Sequence, residues 1–264
     1  YLFANRHVGM YLCIFAVAHA LLIFLQGFTN YEWVEGAIVW DNRAGFSHNT
    51  NLAAGLLVMC LPFAITGYWR WASIPLLAAV IFTGSRWAFI VAALLTAGMA
   101  FKHLVPCRWL LGGAASFVAA VVLIDTFTPV TAAITDFRSF GYASTVVSHV
   151  TVRLAVESWP NLLPYGLAET DGLHNVPMRM AAESGVISAV IWVFLSLWAL
   201  TRMRYTPAWW LMLAIVLLSM LDHYTWRPHL MGFWFLALGI LAVRRVLLPI
   251  VEKAGVPHIR DDVL

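Results

Sequence analysis

Several side chains in this sequence sit where their surroundings make them expensive, and each has a chemistry that would use it. Arg86 follows Ser85 and precedes the apolar run from Trp87 to Phe101. A guanidinium in hydrocarbon costs about 2.5–3.5 kcal/mol at a helix centre and less near an end. It either grips an anionic group such as phosphate bidentately, or lies at an interface with its stem along apolar surface. Arg153 falls in the stretch 143–159, where Val147, Val150, Leu154 and Val156 supply an apolar side and His149, Arg153 and Glu157 recur every four residues. Glu157 either aims Arg153 at the same anion or simply pairs with it along a helix face. His174 precedes Asn175, a good N-cap, and Pro177, whose missing N–H is tolerated in a first turn. The imidazole can take a proton near neutral pH, and the helix start behind it favours an anion. A surface histidine beside a cap is the plainer alternative. Arg179 and Glu183, four residues apart among Ala181, Ala182, Ser184 and Gly185, suit a structural ion pair facing a helix bundle.

Two further stretches are polar enough to contact a ligand. One runs from Arg43 through His48 to Asn51; the other is the turn from Asp222 through His223, Tyr224, Thr225, Trp226 and Arg227 to His229. An aspartate and two histidines could hold a metal, but their spacing matches no strong zinc pattern, and interfacial aromatics explain Tyr224 and Trp226. A sugar- or phosphate-contacting loop using Asp222, His223 and Arg227 is the preferred reading. No metal or cofactor is expected.

These residues need a scaffold, and composition names its class. The chain has 62% hydrophobic and only 11% charged residues, with a mean hydropathy of +0.81. Soluble domains average roughly 25% charged residues, so an integral membrane protein is expected. The apolar runs lack barrel alternation, and lipid demands that backbone groups be satisfied internally. An all-α polytopic transmembrane bundle follows. It forms a single domain over 1–264 with about 8 spans, near 8–28, 52–69, 71–84, 87–104, 108–125, 177–200, 207–221 and 230–248. Between the fifth and sixth spans lies a large external loop, 126–175, that contains the amphipathic helix; loops of that length are usually functional. The chain begins at Tyr1, and further amino-terminal helices are expected ahead of it. Cys13, Cys60 and Cys107 lie in or beside apolar runs, so neither a disulfide framework nor a redox role is expected.

Charge sets the orientation. Alternating the spans from a cytoplasmic start puts ten of the sixteen basic residues inside, with three of the thirteen carboxylates. That is the excess the positive-inside rule expects. The six basic residues left outside are Arg43, Arg86, Arg138, Arg153, Arg179 and Arg227. Every polar stretch described above reaches that same face, so one external polar site is the economical reading.

Four blocks, in this order, resemble the O-antigen ligase family, whose domain is shared with O-antigen polymerases and protein O-oligosaccharyltransferases. They are Arg43 through Asn51, Gly84 through Trp87, Arg153 with Trp159, Pro160 and Gly166, and His174-Asn175 followed by Glu183 through Gly185. Together they cover about residues 43–200, and Ala168 stands where a second glycine would follow Gly166. The resemblance implies an inverting, metal-independent glycosyltransferase in the bacterial inner membrane, working on the periplasmic face. Its donor would be a polyprenyl-diphosphate-linked glycan and its acceptor lipid A-core. By position in the motifs, Arg86 and Arg153 would bind the diphosphate and His174 would assist acceptor attack. Arg43, Asn175, Asp222, His223 and Arg227 are the expected substrate contacts. The alternatives are a polymerase, a protein-directed transferase and, outside enzymes, an anion transporter. The expected partners are the donor, the acceptor and the lipid bilayer, with no nucleic acid.

Overall fold

A computed structural model describes residues 2–29, 31–32, 37–38, 44–47, 49–66, 69–102, 104, 122, 175–202, 206–221 and 231–242. The chain is all-α over these residues, apart from two short strands. The helices are α1 (Leu2–Thr29), α2 (Thr50–Thr66), α3 (Ser73–Phe82, entered through a 3-10 turn at Arg70–Ala72) and α4 (Arg86–Phe101). They continue with α5 (Val176–Ser184), α6 (Val186–Arg202), α7 (Pro207–Leu221) and α8 (Met231–Ala242). After α1, strands β1 (Tyr31–Glu32) and β2 (Ala37–Ile38) pair antiparallel, Tyr31 opposite Ile38. The expected span near 108–125 and the loop 126–175 up to His174 fall almost wholly outside the described residues.

The core is organised around α2. Every residue from Leu52 to Ile65 is buried, as befits a helix that is apolar all round and packs on α1, α3, α4 and α7. α1 is two-sided: Cys13, Ala16, Ala20 and Ile23 face α2 and α3, whereas Tyr11, Ile14, Phe15, Leu21, Leu25 and Phe28 are exposed. The exposed face of α6 is equally apolar, with Ile187, Val190, Ile191, Phe194 and Leu197 at helical spacing.

α7 runs antiparallel to both α6 and α4. α7 begins beside the end of α6, where Trp209 Nε1 donates to the Leu200 carbonyl at 2.7 Å. It finishes beside the start of α4, where Trp87 Nε1 donates to the Leu217 carbonyl at 3.0 Å. The start of α7 also lies against the end of α4. A Cβ on Gly98 would meet the Trp210 ring at 2.9 Å, so only glycine lets that indole lie flat on α4. α8 joins α6 through Trp234, whose Nε1 donates to Ser196 Oγ at 2.9 Å and whose ring stacks near Trp192.

One expected element is divided. The span near 177–200 is two helices, because Gly185 takes φ 91° and ends α5, its N–H bonding the Ala181 carbonyl. Ser188 Oγ then bonds the Gly185 carbonyl at 2.6 Å and α6 starts on a new path. A side chain at that φ is disfavoured, so glycine permits the break. By length and composition, α1 over His7–Thr29 is the one described helix able to cross a membrane unaided; the other apolar helices have 10–17 residues.

Candidate functional site

Two helix starts meet the end of a third. α3 finishes at Thr83, whose Oγ1 bonds the Val80 carbonyl at 2.6 Å, and Gly84 at φ 72° reverses the chain. Ser85 then occupies the N-cap of α4 in extended conformation without capping it. Its Oγ is buried and has no hydrogen-bond partner among the described residues. Arg86 is half-buried in the first helical position, and the indole of Trp87 fastens this start to α7.

Asn175 fastens the second start to the same helix. Its Oδ1 accepts from the Met178 N–H at 3.0 Å, the ordinary N-cap bond. Its Nδ2 donates to the Met220 carbonyl at 2.9 Å. That carbonyl belongs to the last turn of α7, where no intrahelical donor remains for it. One amide therefore caps α5 at its beginning and α7 at its end. The positive ends of α4 and α5 converge on the negative end of α7, an arrangement of mutually favourable helix dipoles.

The two starts differ in what they offer a ligand. On α5, Asn175 occupies the Met178 N–H and Pro177 has none, so fewer donors remain than the sequence suggests. On α4, the N-cap residue Ser85 makes no capping bond to the first turn, and its buried hydroxyl has no partner among the described residues. Among the described residues, the groups suited to meeting an anion at this end are therefore Ser85, Arg86 and the first N–H groups of α4. Arg179 is buried, and its Nε donates to Glu183 Oε1 at 2.6 Å, the structural i,i+4 pair that the spacing predicts.

Of the residues singled out for chemistry, Arg86 and Asn175 are thus brought to one end of the bundle. Arg43, Arg153, His174, Asp222, His223 and Arg227 lie outside the described residues. Among the described residues no group of three metal-ligating side chains comes together.

Two polar residues outside the sequence-based candidates matter here. His19 and Gln26 are fully buried on one face of α1, seven residues apart, and both bind the turn at Ala44–Ser47. A buried glutamine and histidine inside an apolar helix were the available signal. Compared with known proteins, the chain matches no family model, no curated protein and no solved structure.

Proposed function

We propose that this chain is the membrane-embedded core of a glycosyltransferase of the O-antigen ligase type. It would be a bundle of about eight spans in the bacterial inner membrane with its site on the periplasmic face. The observation that carries the reading is the uncapped start of α4, where Arg86 follows the buried Ser85 hydroxyl and the start is anchored beside that of α5. Hydrogen-bond donors and a positive helix end at one apolar-walled point suit a diphosphate. The four sequence blocks that resemble the ligase family include both of these starts. The apolar exposed faces of α1 and α6 suit lipid rather than water. With these helices in a bilayer, Arg70, Lys102 and Arg202 mark the opposite end from Ser85 and Asn175, in keeping with the positive-inside rule.

In this mechanism an acceptor hydroxyl attacks the anomeric carbon of the donor sugar from the face opposite the diphosphate. The bond from that carbon to the diphosphate oxygen breaks as the glycosidic bond forms, which inverts the configuration. His174 assists this attack, either taking the hydroxyl proton, directly or through water, or positioning the acceptor while water takes the proton. Arg86, Arg153 and the α4 N–H groups stabilise the negative charge gathering on the leaving diphosphate. The test is transfer by the purified chain from a polyprenyl-diphosphate glycan to lipid A-core without added divalent metal. Failure of transfer with this acceptor, but success with a second lipid-linked glycan or a protein, would reassign it as a polymerase or a protein-directed transferase.

A second reading draws on the break at Gly185. Transporters build ion sites at discontinuous helices, and α5 with α6 is one. The charged residues at Arg70, Arg86, Lys102 and Arg202 lie at helix ends instead of the bilayer midplane, so the transferase is preferred. Uptake of inorganic phosphate or pyrophosphate into vesicles holding the chain, with no glycan transfer, would favour the transporter.

A further inference from the structure

Non-helical backbone lies against the carboxy-terminal half of α1. Gly45 is gripped twice by Gln26: its N–H donates to Oε1 at 2.6 Å and its carbonyl accepts from Nε2 at 3.0 Å. The glutamine amide thus behaves as one residue of a paired strand would. The next N–H, of Phe46, donates to His19 Nδ1 at 3.0 Å. His19 lies seven residues before Gln26, about 10 Å further along the helix. The Gly45–Phe46 peptide unit is thus held between two side chains seven residues apart on one face of α1. Ala44, Gly45 and Ser47 are buried. A Cβ on Gly45 would lie 2.5 Å from His19 Nδ1, and its φ is +60°, so the fit demands glycine on both counts.

Such a turn within hydrocarbon needs every backbone group satisfied by protein. Gln26 and His19 do this for three of its groups, from the last three turns of α1. The rings of Phe15, His19 and Phe46 stack in sequence, with centroids 5.6–6.2 Å apart, and Phe15 and Phe46 keep an exposed apolar edge. The turn directly follows Arg43 and leads into α2.

We infer that Gln26 and His19 are positioning residues for the lipid-linked donor: they clamp the Ala44–Ser47 turn into the apolar layer beside α1, which fixes the approach of the donor to the polar face. This rests on the transferase reading, and its test has one arm that does not. In the first arm, Ser47→Cys is placed in the full chain in detergent, and a hydrophilic maleimide is read at that position by peptide mass spectrometry. Adding Gln26→Leu should speed labelling about tenfold, the factor set by one to two lost hydrogen bonds. Unchanged labelling overturns the clamp whatever the protein does. In the second arm, Gln26→Leu should raise the donor KM about tenfold and leave kcat within about threefold, which separates positioning from chemistry. Gln26→Glu is the rescue. A neutral carboxylic acid offers the same donor and acceptor to Gly45, so its activity relative to wild type at each pH should be near one in acid and fall as the carboxyl ionises. Faster labelling with an unchanged donor KM overturns the positioning role. A wild-type chain without any transfer activity overturns the transferase reading and the donor role with it, and leaves the labelling to judge the clamp.

Discussion

Asn175 Nδ2 donates to the Met220 carbonyl at 2.9 Å while Oδ1 of the same amide accepts from the Met178 N–H. An aspartate could keep the second bond but not the first. As N-caps the two residues are equivalent, and replacing either with alanine costs about 0.5–2 kcal/mol. Asn175→Asp should therefore still destabilise the protein, by about 0.5–1.5 kcal/mol, because the Met220 carbonyl loses its donor. Thermal unfolding in detergent measures this. If Asn175→Asp melts with the wild type, the bridge to α7 contributes nothing.

Arg86 should not tolerate conservative exchange. Loss of a group that stabilises charge in a transition state lowers rate by about 10²–10³, which is the drop expected for Arg86→Ala in glycan transfer. Arg86→Lys keeps the charge but loses the planar fork, so at least a tenfold deficit should persist. Steady-state transfer to lipid A-core reads both, and an Arg86→Ala enzyme as active as wild type would remove Arg86 from the mechanism.

Gly98 and Trp210 form a packing pair that can be tested without an activity assay. Gly98→Ala places a methyl 2.9 Å from the indole and should cost about 1–3 kcal/mol by overpacking. Trp210→Phe in the same chain should recover part of that cost, and a double-mutant cycle on unfolding free energies gives the coupling. Strict additivity of the two changes would mean that the ring moves aside freely.

The exposed side of α6 gives a test of the lipid-facing reading. Phe194 is 63% exposed, and a carboxylate in its place would have to enter hydrocarbon at about 2.5–3.5 kcal/mol near a helix centre. Phe194→Asp should sharply reduce the membrane-inserted yield, whereas Phe194→Leu should not. Undiminished insertion of Phe194→Asp would show that this face does not meet lipid.

Much of the frame was legible beforehand because long apolar runs announce helices regardless of their partners. α1, α2, α4 and α7 fall where the runs do, and Asn175 caps α5 as its residue type suggests. The Arg179–Glu183 pair was legible too, since four residues on a helix set the distance. The division at Gly185 was not, because apolar residues continue on both sides of it and a single glycine does not by itself break a helix. Long-range contacts were equally hidden. Trp87 reaches Leu217 and Gln26 reaches Gly45, and neither spacing has a period to reveal it. At the site, residue types raised the expectation of an anion, and geometry distinguished the occupied Met178 N–H of α5 from the α4 start that Ser85 leaves uncapped.

The anchoring of Trp87 and Asn175 on α7 has a geometrical consequence. Leu217 and Met220 are three residues apart, about 4.5 Å along the helix axis. α7 thus serves as a ruler that sets the offset between the two helix starts, independently of the long connection that joins them in sequence. Changes in the length of that connection can alter what reaches the site without altering the spacing of its floor.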